Sequence, residues 1–128
     1  MRYLLDTHTF LWMISQHPNL SAKASQIILD PQNDLFFSSV SGFEIAIKYS
    51  LGKLALPSSP REFIPLQVQI NKLILLPVQM EHGLYIAELP NYHNDPFDRL
   101  LIPQAILEDM ILLTKDVHIE SYPVKVAW

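Results

Sequence analysis

The sequence contains no cysteine. Disulfide bonds, thiolate nucleophiles and zinc sites built on cysteine are therefore excluded. Glycine is scarce, with 3 residues in 128, and neither a glycine-rich phosphate-binding loop nor the G-x-S-x-G motif of serine hydrolases is present. The 5 histidines show neither H-x-H nor H-E-x-x-H spacing, which argues against a histidine-based zinc site. The sequence therefore lacks the common nucleophile, nucleotide-binding and zinc-binding motifs.

Long apolar runs are also missing. The longest one extends from Leu73 to Val78, which is far too short to cross a bilayer. Asp6 interrupts the apolar N-terminal segment before a signal-peptide core could form, so we expect a cytoplasmic protein without membrane contact.

Basic residues are fewer than acidic residues. There are 9 basic and 13 acidic residues, which gives a net charge of -4. A protein that binds nucleic acid with its whole surface would carry the opposite sign. If this protein acts on nucleic acid, it needs a local basic rim or a metal ion to offset its own carboxylates.

The composition that is present is typical of a folded domain. Hydrophobic residues make up 49% of the chain and aromatic residues 10%, which excludes global disorder. The length of 128 residues, with no internal repeat, predicts one domain over residues 1–128.

Short apolar strands alternate with helical segments along the chain. Strands are predicted at 3–5, 35–38, 73–78, 110–113 and 124–127, and helices at about 7–15, 22–29, 42–51, 81–89 and 95–108, with a further helical repeat of apolar residues between 63 and 70. Ser21 and Ser41 are predicted N-caps, and Gly52 is the predicted end of the third helix. The alternation predicts an α/β fold with a mostly parallel sheet that helices cover on both faces.

Four acidic residues follow strands or begin helices: Asp6, Glu44, Asp98 and Asp116. Each has a purely structural interpretation. Asp6 can cap the first helix, Ser41 and Glu44 have the spacing of a capping box, Asp98 suits the dipole of a helix that Asp95 and Pro96 begin, and Asp116 can end a strand in a turn.

Taken together, the four acids favour a functional interpretation. The carboxyl ends of parallel strands meet at one edge of a sheet, which is where ligands bind in such folds. Four carboxylates at one place would repel each other unless a cation lies between them. Oxygen ligands without cysteine or paired histidine suit Mg²⁺ or Mn²⁺. Such an ion can polarise a phosphodiester and activate water.

Basic residues lie close to these acids in the sequence. Lys48 is one helical turn after Glu44, Arg99 follows Asp98, and Lys115 precedes Asp116. Each can be a solvated charge or a partner in a helix salt bridge. Lys48 and Arg99 can instead contact the phosphates of a substrate.

Four segments together resemble the PIN-domain family, and specifically the VapC-like toxin nucleases of bacterial toxin–antitoxin systems. The segments are LLDTHTFLW (4–12), FEIAIK (43–48) followed by LGKL (51–54), HNDPFDR (93–99) and LTKD (113–116). Each segment alone is a weak signal, but the four occur in the expected order and cover nearly the whole chain. The terminal Trp128 also matches one subgroup.

The resemblance implies a three-layer α/β/α sandwich. It implies an Mg²⁺- or Mn²⁺-dependent endoribonuclease with Asp6, Glu44, Asp98 and Asp116 as catalytic and metal-binding residues, and Thr114 as a secondary contact. It also implies a homodimer, an RNA substrate and a cognate antitoxin that covers the site. Within the third segment, Asp98 takes the acidic role rather than Asp95, because the family's acid precedes the arginine.

Two residues depart from the family pattern. Pro103 lies where a small helix former is usual, and a proline there is expected to bend the helix and to affect how Arg99 is aimed. Gly42 stands where a bulkier residue is common, in the predicted first turn of the helix that carries Glu44.

One other function is compatible with the same chain, and a second is disfavoured by its residues. The first is an interaction module that keeps the PIN fold but has lost catalysis, although all four acids are present. The second is phosphoryl chemistry on small molecules. Haloacid-dehalogenase-like enzymes need a second aspartate two residues after the first, and His8 occupies that position.

Overall fold

The computed structural model describes residues 1–128 and is built around one five-stranded sheet. All four strand pairs are parallel. The strands are β1 (Arg2–Leu5), β2 (Asp34–Ser38), β3 (Ile74–Leu76), β4 (Ile111–Leu113) and β5 (Val126–Ala127), in the spatial order β3-β2-β1-β4-β5. Because β1 is central, the residue that follows it, Asp6, lies in the middle of the carboxyl edge.

Six α-helices connect the strands. They are α1 (Thr7–Ser15), α2 (Ala22–Leu29), α3 (Ser39–Ser50), α4 (Pro60–Ile70), α5 (Met80–Tyr85) and α6 (Asp98–Leu107). Short 3₁₀ turns occupy Ile86–Glu88 and Ile119–Ser121. None of these helices combines the length and the apolar character that crossing a membrane requires.

The two faces of the sheet bury separate cores. Successive side chains of a strand point to opposite faces, so Leu4 packs on one side of β1, and Tyr3 and Leu5 pack on the other. The Leu4 face is covered by apolar residues of α6 such as Leu101, and the opposite face by residues of α1 to α4 such as Phe10. The predicted α/β/α sandwich with a parallel sheet is therefore confirmed.

Several predicted helix ends agree with the structure. The Asp6 side chain caps α1, and Ser21 caps α2 by accepting the Ala24 N–H at 2.9 Å. Gly52 follows α3 with a φ of 71°, in the left-handed region that glycine adopts without strain. The Gly52 N–H donates to the Tyr49 carbonyl at 3.0 Å and the next N–H to the Lys48 carbonyl at 2.9 Å, which is the Schellman pattern.

Two predicted helix starts were wrong. Helix α3 begins three residues before Gly42, and its N-cap is Ser38, whose side chain accepts the Val40 N–H. Ser41 therefore lies inside α3 and forms no capping box with Glu44. Helix α6 begins at Asp98 rather than at Asp95, because a turn at Pro96 precedes it.

Candidate active site

Charged and polar side chains surround one small cavity at the carboxyl edge of the sheet. Its volume is about 110 Å³, and no apolar residue lines it. The lining residues are Asp6, Thr7, His8, Glu44, Lys48, Asp95, Asp98 and Asp116. The structure thus brings together all four predicted acids, which come from the segments after β1 and β4, from α3 and from α6.

Size does not identify this cavity. A larger one, of about 420 Å³, lies between α1 and α2, shares no residue with the acidic cavity and has no carboxylate in its wall. Chemistry distinguishes the smaller cavity, because five carboxylates line it and two of them, those of Asp6 and Glu44, are buried.

Asp6 occupies the centre of the site. It follows β1 directly, and both of its oxygens are held: Oδ1 accepts the Thr9 N–H at 2.7 Å, and Oδ2 accepts the Thr114 hydroxyl at 2.5 Å. Burial raises the pKa of Asp6 above its ordinary value of 3.8, while the hydrogen bonds from Thr114 and Thr9 act in the opposite direction. Asp6 is therefore both a helix cap and a carboxylate of the cavity, so the two interpretations do not exclude each other.

Glu44 is buried in the middle of α3 and is held by two donors. The Thr7 hydroxyl donates to Oε1 at 2.6 Å, and the Lys48 ammonium bonds to Oε2. The Thr7 hydroxyl also lies 2.9 Å from that of Ser41. Lys48 thus reaches the cavity as the i,i+4 partner of Glu44, so its charge is within the site.

The segment after β4 brings Thr114 and Asp116 to the same place. Thr114 is buried, and its hydroxyl oxygen accepts the Asp116 N–H at 3.0 Å while donating to Asp6. Asp116 Oδ1 accepts the His118 N–H at 2.9 Å, as in an Asx turn. In this structure Thr114 therefore acts by positioning Asp6 and the start of the Asp116 turn.

Asp98 is a second acid whose pKa the site raises. Burial is the largest cause, and together with the negative charges of Asp95, Asp116 and Asp6 it raises the pKa of Asp98 to about 7, against the effect of a hydrogen bond from His93. Asp95 has a different role, since its Oδ1 accepts the N–H groups of Phe97 and Asp98 at 2.9 and 3.0 Å. These bonds hold the turn that precedes α6, which is consistent with giving the acidic role to Asp98.

Arg99, predicted to contact substrate, does not line the cavity. Its guanidinium donates to the Pro90 carbonyl at 2.9 Å, to the Tyr122 hydroxyl at 3.2 Å and to the Ile86 carbonyl at 3.4 Å. These bonds tie α6 to the segment after α5. Pro103 lies buried within the same helix, one turn later. The structure thus bonds the Arg99 guanidinium to two backbone carbonyls and the Tyr122 hydroxyl, outside the lining of the acidic cavity.

A second groove, of about 390 Å³, shares Asp6, His8 and Asp116 with the acidic cavity. Trp12, Lys115 and His118 also line it. The Lys115 ammonium lies 5.8 Å from the centre of the Trp12 ring. Positive and aromatic groups thus adjoin the acids, which is the local rim that an acidic protein needs to bind a polyanion.

The donor set of the cavity fits a hard divalent cation. Five carboxylates line the cavity and no sulfur is available. Burial and, after it, charge repulsion raise the pKa of Asp98, and a cation between the carboxylates would relieve that repulsion. Asp6, Glu44, Asp98 and Asp116 are the residues that could hold Mg²⁺ or Mn²⁺.

Another potential ligand group lies between α5 and the C-terminal end of α6. Glu81, His82 and Glu108 have ligand atoms within 4.8 Å of one another. His82 is fully buried, its Nδ1 accepts the Gln79 N–H at 2.8 Å, and Nε2 lies 2.9 Å from Glu108. Because Nδ1 is an acceptor, Nε2 carries the proton, and the ring is already satisfied as a structural histidine.

Sequence reasoning missed three residues of the cavity wall. Thr7 was assigned only to the start of α1 and to the first segment of the family resemblance, and His8 was considered only for zinc motifs, for that segment and as the residue two positions after Asp6. Asp95 was considered only as a cap. The available signal for Thr7 and His8 was their position directly after Asp6 at the end of the central strand.

The chain belongs to the PIN domain family, since the family match extends over residues 3–125. Among related proteins, it is 39% identical over 54 residues to Ribonuclease VapC16 of Mycobacterium tuberculosis, an alignment that covers 39% of this chain and 38% of that protein. The predicted resemblance to VapC-like PIN proteins is confirmed.

Solved structures share the whole fold at low identity. VapBC2 from Rickettsia felis, bound to a DNA fragment from their promoter, has a TM-score of 0.72 at 20% identity and covers 99% of this chain and 98% of that one. The DNA-bound VapBC from Salmonella typhimurium has a TM-score of 0.70 at 17% identity, with 99% and 97% covered. At these identities the likeness shows the fold alone.

Proposed function

We propose that this protein is a metal-dependent endoribonuclease that acts as the toxin of a toxin–antitoxin pair. The observation that carries the proposal is the cavity lined by Asp6, Glu44, Asp98 and Asp116, which contains no apolar side chain. The similarity to Ribonuclease VapC16 supports RNA as the substrate.

The four acids would hold Mg²⁺ or Mn²⁺, which when bound polarises a phosphodiester and lowers the pKa of water. The protein's own contribution is to hold these carboxylates in place. Thr9 and Thr114 orient Asp6, and Thr7 orients Glu44. Lys48 supplies a positive charge beside Glu44, where a substrate phosphate would otherwise meet only acids.

Assembly partners form part of the same proposal. An apolar cleft of about 320 Å³ next to the acids, lined by Val40, Phe43, Val78 and Phe97 among others, supports a protein partner. Phe43, which lies on α3, is 63% exposed. A cognate antitoxin and a second copy of the chain are the proposed partners, and the cytoplasm is the proposed site of action.

The decisive experiment measures RNA cleavage by the purified protein, free of any antitoxin. We expect an end-labelled single-stranded RNA to be cut with Mg²⁺ or Mn²⁺ and to stay intact with EDTA. Asp6→Asn should abolish cleavage while remaining folded, because asparagine also caps helices. Asp109→Asn is the matched control, since the Asp109 side chain is 85% exposed.

Two outcomes would refute the proposal. The first is RNA that remains intact under every metal condition, which would favour a catalytically silent interaction module. The second is an Asp6→Asn variant that loses stability but keeps cleaving, which would leave Asp6 with only its capping role. In cells, we expect expression to arrest growth and co-expression of a neighbouring antitoxin gene to relieve the arrest.

A further inference from the structure

His93 forms hydrogen bonds at both ring nitrogens, and the second one reaches the acidic site. Nδ1 lies 2.7 Å from the Tyr122 hydroxyl, and Nε2 lies 3.2 Å from Asp98 Oδ2. The ring is 16% exposed. His93 does not line the cavity itself, so it reaches the site only through Asp98.

The surroundings of Tyr122 determine the direction of these bonds. The buried Tyr122 oxygen accepts the Arg99 guanidinium at 3.2 Å and the His93 backbone N–H at 3.3 Å. Both lone pairs are then used, and the single hydroxyl proton remains for the His93 Nδ1. Since Nδ1 accepts, the proton of the neutral ring is on Nε2 and is donated to Asp98. The bonds form one directed chain from Arg99 through Tyr122 and His93 to Asp98.

Asp98 depends on this chain more than Asp6 or Glu44 depends on any one donor. Asp6 and Glu44 each have donors on both oxygens. Asp98 has a donor on Oδ2 only, from His93, and Oδ1 has none. Without His93 the carboxylate would be free to rotate at the first residue of α6. With it, one oxygen is held and the other remains available to a ligand.

We propose that His93 is a positioning residue that orients Asp98, so that the free oxygen of Asp98 is available to the cation in the acidic cavity. Tyr122 and Arg99 fix the tautomer that this requires. The inference rests on the proposed function, because it assigns a purpose to the orientation of a proposed metal ligand. It also assigns Arg99 an indirect role at the site, instead of the substrate contact predicted from the sequence. Residues that orient metal ligands in this way typically change metal affinity about 10–100-fold when they are replaced.

The tautomer can be tested on the metal-free protein by long-range ¹H–¹⁵N correlation spectra of the histidine rings at pH 8. We expect His93 to carry its proton on Nε2, and Tyr122→Phe to mix the two tautomers, because Nδ1 then has no donor. A proton on Nδ1 in the wild type would overturn the proposal. His82 provides an internal reference, since its Nδ1 also accepts a backbone N–H.

A pair of variants tests the positioning role through Mn²⁺ affinity, measured by calorimetry without RNA. The amide nitrogen of His93→Gln can take the place of Nε2 and donate to Asp98, whereas the shorter His93→Asn can reach only the Nδ1 position. We expect the Kd for Mn²⁺ to rise about 10-fold or more in His93→Asn and to stay within about 3-fold of wild type in His93→Gln. His17→Asn, on the exposed end of α1, is the control.

Three results of these measurements decide against the proposal. Equal weakening in both His93 variants would mean that the donor to Asp98 is not what matters, and unchanged affinity in both would mean that Asp98 needs no positioning. If the wild type binds no Mn²⁺, the proposed function and the positioning role fail together. If it binds Mn²⁺ but cuts no RNA, the nuclease fails while the two affinity measurements still test His93.

Discussion

Replacing Asp98 with asparagine is expected to stabilise the metal-free protein above pH 7. The pKa of Asp98 rises from 3.8 to about 7 in the folded protein, chiefly because of burial and secondly because of the charge on Asp95. The folded state therefore binds this proton more tightly than the unfolded chain does. The free energy of unfolding is unaffected below the ordinary pKa of 3.8, and it falls as the pH rises towards 7.

The magnitude follows from the size of this change. Each tenfold change in a protonation equilibrium corresponds to about 1.4 kcal/mol, so ionisation of Asp98 costs at most about 4 kcal/mol above pH 7. The side chain is 20% exposed, and water therefore screens part of the effect, which leaves about 2–3 kcal/mol. Asparagine avoids this cost, because it stays neutral and still accepts the hydrogen bond from His93.

The assay is urea unfolding in EDTA at a series of pH values. The difference in unfolding free energy between Asp98→Asn and wild type should be near zero at pH 4 and should increase to a plateau above pH 7. In a thermal scan, 1 kcal/mol corresponds to roughly 3–6 °C for a chain of this length. The control Asp109→Asn should show no such dependence. A flat difference, or a less stable Asp98→Asn at pH 8, would refute the reasoning about burial and charge.

Three further results are expected. Mg²⁺ or Mn²⁺ should raise the Tm of the wild type more at pH 8 than at pH 6, because the ligands must lose their protons, and a scan with and without EDTA checks this. Thr7→Val should lower the free energy of unfolding in urea by about 1–3 kcal/mol and Thr7→Ser by much less, since only valine removes the hydroxyl that donates to Glu44 Oε1. Equal losses in the two variants would contradict this. Gly52→Ala should lower stability by about 1 kcal/mol, because φ is 71° there, and an unchanged midpoint would show that the turn relaxes.

The apolar pattern was sufficient to predict the architecture. Every predicted strand exists, since short apolar runs between polar turns have few alternatives once both faces of a parallel sheet are buried. The errors occurred at helix starts. Ser41 and Asp95 both have the chemistry of a cap, and only the contacts of α3 and α6 show that Ser38 caps the first and that a turn precedes the second.

The amino-acid order alone supplied the candidate groups: four carboxylates in a chain without thiols, three of them directly after strands or at a helix start. That much is local, because it depends on residue type and on where each element ends. The tertiary structure decided how these groups are held, since hydrogen-bond partners such as Thr7 with Glu44 and Thr114 with Asp6 are 37 and 108 residues apart. It also directed the Arg99 guanidinium to Tyr122 rather than to the cavity and placed His93 against Asp98, because those contacts depend on how α6 packs beside Tyr122 and not on sequence spacing.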